Sequence, residues 1–460
     1  MNKLLAIPIL ALILASCAMH TGDAPGSLTI TAPRGALAGA DGTPYTMRYG
    51  LRKDGAPVLL DNHKYTETTG SDSFTIDNLA TGDGYTLSLS IGEKQGNNLA
   101  VKYYGTTENF SIASGTTTDV GLTLANAPEY TFLTTSGSRA SVANVNNYLY
   151  ILDGTELNCP ALEFSISLAP YGTVNSISTG KYFNGTTPTD ELWINTSTGL
   201  YRYDGEGFTS LNDGRAVNVL FSKAADLTIN DSTTIVAVYS GGGASVGMAV
   251  SGYSDSNLET AWQTIYDSED LRDYVADIKK DVITGIGVNE DLSVYYVSTA
   301  VGTVIGNSSI GSIDDLLAIK SDSGNSHWLK AGGETPIKVI SSASSLVFAG
   351  TNSGVYCSEV DSNGVPASSP LAQIAGTAGF KIVAIDSIYS SNNEAVFTAA
   401  VTNLDTVLIF KNTNLVQTLD AAVGIPESAT PLFWIETTNA ALHLTLAGSN
   451  GAIDYVPAIP

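Results

Sequence analysis

The chain has 460 residues, 43% of them hydrophobic and 14% charged, which is ample apolar material for a large core and too little charge for a disordered chain. Its 45 acidic against 21 basic residues give a net charge of −24, which repels phosphate and excludes a nucleic-acid binder. Gly at 45 positions and Tyr outnumbering Phe by 22 to 12 suit short strands and many turns, and the length predicts two to four structural units.

Met1-Asn2-Lys3 precedes an apolar run from Leu4 to Ala15. A bilayer core needs about 20 such residues, so this shorter run reads as a secretion signal. It ends in Leu14-Ala15-Ser16-Cys17, which resembles the lipobox of bacterial lipoproteins at all four positions. The resemblance implies that residues 1–16 are cleaved, that the Cys17 thiol receives a diacylglycerol and that the new amino terminus is acylated. Acyl chains worth about 0.8 kcal/mol per buried CH₂ then hold the protein to a membrane. Ala18 is not Asp, so nothing here resembles the inner-membrane retention signal of some bacteria, and the expected location is the outer membrane, facing the periplasm or the surface. Residues 17–26 form the acylated Cys and a short polar tether.

From residue 27 to 126 apolar residues alternate in short runs: Leu28 and Ile30; Tyr45, Met47, Tyr49 and Leu51; Phe74 and Ile76; Tyr85, Leu87, Leu89 and Ile91; Phe110 and Ile112; Val120, Leu122 and Leu124. Period-2 runs separated by Gly, Asp and Asn predict half-buried antiparallel strands packed as two sheets. Leu79 to Tyr85 resembles the tyrosine corner of Greek-key sandwiches, in which a Tyr opening a strand bonds back to the preceding backbone. Phe74 to Ile91 is similar to the end of a transthyretin-like or fibronectin-like module, which implies a spacer.

Asn126-Ala127-Pro128 marks a boundary, and residues 127–460 carry a recurring unit. Four segments align on one Gly: Leu192 to Tyr201 on Gly199, Tyr295 to Val304 on Gly302, Val347 to Tyr356 on Gly354, and Leu444 to Ile453 on Gly451. Each is an apolar strand, a small polar turn and a second apolar strand, and three carry Thr three residues before the Gly (Thr196, Thr299, Thr351). Weaker copies turn at Gly154, Gly243 and near Leu404. A period near 50 with seven hairpins is the spacing of a seven-bladed β-propeller. A solenoid or a double sandwich would use such hairpins too. One long interval holds Ser268 to Ile278, whose Leu271, Tyr274, Val275 and Ile278 predict a short helix between blades.

Leu192-Trp193 through Phe208 resembles the repeat of two-component-regulator propellers. Gly354 to Gly364 resembles the Asp-box repeat of sialidase-type propellers, as do Lys320 to Trp328 and Ser254 to Trp262 in degenerate form. In those families the repeats are structural turns, so the resemblance implies the fold and no chemistry.

Candidate chemistry is sparse. The propeller region has four Arg (Arg139, Arg202, Arg215, Arg272), one of them in the expected helix and one after a hairpin, so the three-Arg carboxylate grip of sialidases has no match. His20, His63, His327 and His443 are scattered without ligand spacing. Asp361-Ser-Asn-Gly364 lacks the first and last carboxylates of a calcium loop and reads as a tight turn. Ser240 to Gly247 lacks the Lys-Ser/Thr end of a phosphate loop. Asp314-Asp315 and Glu269-Asp270 read as solvated surface, and Tyr201 and Tyr203 as fillers of strand faces. Cys159 and Cys357 read as two buried thiols in different repeats; one disulfide is the alternative.

The expectation is therefore an all-β chain, an N-terminal β-sandwich followed by a seven-bladed β-propeller. It is a monomeric bacterial lipoprotein anchored through Cys17, with no cofactor, metal or catalytic residue, whose propeller binds an unidentified protein or glycan partner and no nucleic acid. The alternatives are an extracytoplasmic enzyme, glycan-directed or otherwise, with a site at the channel mouth, and a purely architectural envelope protein. An enzyme would need two or more buried ionisable groups meeting in one pocket.

Overall fold

The computed structural model of the chain describes residues 24–31, 44–54, 56–58, 66–69, 73–95, 98–134, 136–183, 188–211, 219–229, 232–240, 248–254, 263–267, 283–289, 294–299, 303–307, 337–362, 364–367, 371–436 and 439–457. Cys17 and the run before it, the turns at Gly243 and Gly302, the expected helix near 271 and the stretch from Lys320 to Trp328 lie outside these residues. The chain divides into two compact units that meet in sequence between Pro128 and Glu129.

The first unit holds β1 (Gly26–Thr31), β2 (Thr46–Lys53), β3 (Ala56–Pro57), β4 (Thr66–Thr69), β5 (Ser73–Leu79), β6 (Gly82–Gln95), β7 (Asn98–Thr106), β8 (Phe110–Ile112), β9 (Thr117–Gly121) and β10 (Ala125–Asn126). One sheet runs β5-β1-β9 and the other β10-β7-β6-β2-β3, with β4 also on β2 and β8 on β6. Leu28, Ile30 and Ile76 from the first sheet share one buried cluster with Leu51, Tyr85 and Leu87 from the second. This is a sandwich core built from alternate residues. The strands are not all antiparallel, as the alternation suggested: β1 and β9 pair in parallel, with Leu28 opposite Thr118 and Ile30 opposite Val120. Alternation reports which face is buried and carries no strand direction; here the chain visits the other sheet between β1 and β9 and returns. Tyr85, buried at the core, donates its hydroxyl to the Ala80 carbonyl five residues upstream, the bond expected of a tyrosine corner.

The second unit opens with β11 (Tyr130–Phe132). Four antiparallel strands follow as β12 (Ala140–Val145), β13 (Tyr148–Asp153), β14 (Glu156–Cys159) and β15 (Phe164–Ser167). The next sheets are β16 (Val174–Phe183), β17 (Pro188–Thr196), β18 (Gly199–Tyr203) and β19 (Phe208–Ser210), then β20 (Phe221–Ile229), β21 (Ser232–Ser240), β22 (Met248–Ser254) and β23 (Gln263–Asp267). β24 (Ile283–Asn289), β25 (Val294–Thr299) and β26 (Thr303–Asn307) form a sheet of three among the described residues. Four-stranded sheets resume with β27 (Val339–Ala343), β28 (Leu346–Gly350), β29 (Val355–Glu359) and β30 (Ala372–Gln373), and with β31 (Ile382–Ser390), β32 (Ala395–Thr402), β33 (Val407–Lys411) and β34 (Asn414–Leu419). The last sheet is β35 (Thr430–Ile435), β36 (Leu442–Gly448) and β37 (Gly451–Tyr455), with β11 as its outer strand. The first strands of successive sheets pack side by side, from β12 through β16, β20, β24, β27 and β31 to β35, and β35 returns to β12. That is the β-propeller arrangement.

The described hairpin turns read from the sequence, at 154, 199, 354, 404 and 451, each fall between the second and third strands of a sheet. Gly199, Gly354 and Gly451 take φ of 156°, 147° and 132°, backbone that favours glycine. The Thr three residues before Gly199 and Gly354 has a fixed task, while Gly448 stands at that position before Gly451. Thr196 Oγ1 donates to the Gly199 carbonyl at 3.0 Å and accepts the Thr198 N–H at 3.1 Å. Thr351 repeats this, donating to Gly354 at 3.0 Å and accepting from Ser353 at 3.0 Å. The ends of the ring are joined: Tyr130 lies opposite Tyr455 and Phe132 opposite Ile453, and Thr134 Oγ1 accepts the Ala452 N–H at 2.9 Å, so the strand at Tyr130 leaves no open edge there. Cys159 and Cys357 are buried free thiols in different sheets.

Candidate binding site in the propeller

The first strands of a propeller run side by side without a backbone ladder, so their polar groups need other partners. Side chains supply them. Ser141 Oγ accepts the Ile177 N–H at 3.1 Å, Ser176 Oγ donates to the Leu220 carbonyl at 2.8 Å, and Asn175 Nδ2 donates to the Val219 carbonyl at 2.8 Å. Ser178 and Ser222 share a hydrogen bond of 2.8 Å, and Thr179 Oγ1 donates to the Asn144 carbonyl at 2.7 Å. Between the neighbouring strands β31 and β35, an Asp386 carboxylate oxygen accepts the Phe433 N–H at 2.9 Å. Small hydroxyl residues at these positions therefore stitch sheet to sheet.

These same residues line a cavity of about 490 Å³ at the end of the ring where the first strands begin. Its lining comes from β12, β16, β20, β31 and β35 and their leading residues, and from the end of β36 and the turn after it. The lining mixes Ser, Thr and Asn with small and aliphatic side chains, and its described members include no aromatic residue and two charged ones, Arg139 and Asp386. A volume of this size lies within the usual range for ligand pockets. Arg139, Ser428, Thr430 and Ser449 are exposed at its rim.

Two other polar clusters lie within the sheets. Arg202, buried on β18, donates from one guanidinium nitrogen to both Glu191 carboxylate oxygens at 3.2 and 3.1 Å and sits 3.6 Å from the centroid of the Tyr182 ring. Burial pushes the Glu191 carboxyl above its ordinary pKa, and Arg202 offsets part of the rise. Nearby Asp204 is held below the ordinary carboxylate value, chiefly because the Glu206 and Gly207 N–H groups donate to it. Burial also raises Tyr150 to about 12.

The second cluster belongs to the closing sheet. His443 Nδ1 is 2.6 Å from Asp454 Oδ2, its ring stacks on Trp434 at 4.2 Å, and its Nε2 lies 3.5 Å from Glu436. Thr445 Oγ1 donates to Asp454 Oδ1 at 2.9 Å and accepts the Trp434 indole N–H at 3.0 Å. The carboxylate thus stands between hydroxyl and imidazole. The Thr445 proton goes to Asp454, and among the described residues no hydroxyl bonds to His443, so these residues show no nucleophile-to-base contact of the kind acyl transfer uses.

Sequence reasoning placed Arg139 and Arg202 in the propeller without a role and set His443 aside as isolated. Its partner Asp454 is eleven residues away across a hairpin, and Trp434 is on a third strand, so no linear spacing reveals them. Asp386 and the stitching Ser residues carry a usable signal, polar residues inside otherwise apolar strands. The Asp361 to Gly364 segment is a turn: Gly364 N–H bonds to the Asp361 carbonyl and Val365 N–H to its carboxylate, both at 2.9 Å. Asp314, Asp315, Glu269, Asp270, Arg215, Arg272, His20, His63 and His327 lie outside the described residues.

Together these features define a β-propeller with a polar cavity at one end of its ring. No family model matches the chain, and no curated protein matches it. Among solved structures it is similar to the crystal structure of BBS1N in complex with ARL6DN, soaked with lead or with mercury. The identity is 11% and the TM-score 0.44, over 72% of this chain and 98% or 94% of the matched chains. It is also similar to Kluyveromyces lactis Hsv2 (complete loop 6CD), at 11% identity and a TM-score of 0.37, over 69% of this chain and 90% of that one.

Proposed function

We propose that the second unit is a closed seven-bladed propeller acting as an extracytoplasmic binding and protein-interaction platform, with the cavity at the end of its ring as the docking site. The observation that carries the reading is the cavity itself, about 490 Å³ and lined from five of the seven sheets described in the second unit. A rigid ring presents such a lining at little ordering cost. Side chains aimed at a common point are what a binder needs. An enzyme needs convergent ionisable groups, and Arg139 and Asp386 stand on different sheets with Asp386 already accepting the Phe433 N–H.

The test is a capture experiment on envelope fractions of the source cell, comparing the wild-type chain with Thr430→Trp, which obstructs the cavity rim. A partner recovered with wild type and lost with the variant supports the platform. Equal recovery, or none with either, overturns it.

The reading extends to the anchor. A lipobox-like Leu14 to Cys17 behind a short apolar run supports acylation at Cys17 and a place in the bacterial outer membrane, while the repeats at Leu192 to Phe208 and Gly354 to Gly364 support kinship with two-component-regulator or Asp-box propellers, and the module-like stretch from Phe74 to Ile91 supports the sandwich as spacer. Cys17→Ser should move the protein from the detergent phase to the aqueous phase of a Triton X-114 partition. Unchanged partitioning removes the anchor.

A further inference from the structure

Most of the polar lining of the cavity is occupied in stitching the sheets, and what remains is specific. Ser141, Ser176, Ser178 and Ser222 already bond to neighbouring strands. Arg139 does not: its guanidinium has no ion-pair partner among the described residues, although the chain carries 45 acidic side chains. Its backbone is held, since its carbonyl accepts the Gly154 N–H at 2.9 Å, so the side chain projects from a fixed point just before β12. Thr430 at the start of β35 and Ser428 just before it line the same cavity and are exposed too. A cation with two hydroxyl donors at the edge of a partly enclosed cavity is a receptor for one carboxylate.

The remaining lining narrows the ligand. No described lining residue is aromatic, so neither a sugar ring nor a base finds a stacking face. A single cation matches one carboxylate and not the several charges of a polyphosphate, and the other charged lining residue, Asp386, already accepts the Phe433 N–H. Leu220, 48% exposed, and Leu432 and Ile385 give the cavity an apolar wall. Carboxylate at the rim, an apolar side chain against that wall and amide groups among the hydroxyls describe the end of a polypeptide. We propose that the cavity binds the C-terminal carboxylate of a partner protein, with Arg139 and Thr430 holding the carboxylate and Leu220 and Leu432 receiving the last side chain. This rests on the platform reading and names its ligand.

The experiment is fluorescence polarisation on the full chain with labelled hexapeptide pools ending in Leu, Val, Phe or Ala. Each pool is supplied as free acid and as C-terminal amide, with glucuronate and inorganic phosphate as competitors. The free-acid Leu or Val pool should bind at least about tenfold more tightly than its amide, the loss expected of one charge-assisted contact. Arg139→Gln should abolish that difference while Arg139→Lys keeps part of it, and circular dichroism should show both variants folded. Equal binding of acid and amide, displacement by glucuronate or phosphate at lower concentration than by peptide acid, or no binding by any pool overturns the proposal. If peptides fail while the capture sensitive to Thr430→Trp succeeds, the platform stands and its ligand is of another kind; if both fail, the platform falls too.

Discussion

Arg202 and Glu191 show what a buried charge pair does to a blade. Removing the cation alone leaves a carboxylate buried without its partner, so Arg202→Met should cost about 3 kcal/mol in the propeller's urea transition, within the range for breaking such a pair. The acid behaves differently with pH. Because burial raises its pKa in the folded state, Glu191 contributes stability below the usual carboxylate range and loses it as pH rises through the raised value. The stability difference between wild type and Glu191→Gln should therefore shrink between pH 4 and pH 8; a difference that widens with pH would show that the ion pair, and not burial, dominates. Cys159 and Cys357 are inert for the same reason, since burial raises both thiols and lowers their thiolate fraction. A thiol reagent at neutral pH should leave both unlabelled until denaturant is added, and prompt labelling of either would place it on an exposed surface.

At the scale of elements, the strands owe their packing to alternation and their turns to a few fixed side chains. Gly180 lies on β16 across from the indole of Trp193, and a Cβ there would stand 2.1 Å from the ring nitrogen. Trp193 is wholly buried and cannot withdraw. Gly180→Ala should cost roughly 3 kcal/mol, the upper end for overpacking, and a near-neutral result would show that the sheet gives way. In the sandwich, Tyr85→Phe loses the bond to the Ala80 carbonyl and should cost about 1 kcal/mol, read as a lower midpoint for that unit's transition. How far such features were visible in advance depends on their range in sequence. Thr196, Gly199 and Tyr85 act within five residues, and their roles follow from the string of letters. The bulk of the fold was legible because buried alternation at Leu87, Leu89 and Ile91, or Leu444 and Leu446, repeats along a strand. Parallel pairing of β1 with β9 was not, because both directions bury the same faces. Nor was the rim of the cavity, since Arg139 and Thr430 are 291 positions apart and line one cavity only because the ring closes.

Closure governs the whole molecule, because a propeller holds its shape only while its last sheet joins its first strand to its last. Here the joint is short. β11 adds three residues to β37, the Leu133 N–H reaches the Ala452 carbonyl at 2.9 Å, and the buried Thr134 hydroxyl takes the Ala452 N–H. Ala140, Ala447 and Ala452 then form a buried cluster against which Leu133 and Val142 pack, tying β12 to the closing sheet. Without β11 the edge of β37 is open, with unpaired backbone groups and the apolar faces of Ile453 and Tyr455 beside it. The damage should not stay local. Each first strand relies on its neighbour for hydrogen bonds, as Ile177 relies on Ser141 and Phe433 on Asp386, so a gap at one joint loosens the stitches on both sides. Deleting residues 127–135 should therefore lower amide hydrogen-exchange protection in β12, β16, β31 and β35 as well as in β37, and broaden the urea transition of the propeller. Thr134→Val should reproduce a smaller part of this, about 1 to 2 kcal/mol for the orphaned Ala452 N–H. If the deletion reduced protection only in β36 and β37 while β12 and β16 exchanged as slowly as before, the strand would be an appendage and the ring would be held by its sheet-to-sheet stitches alone.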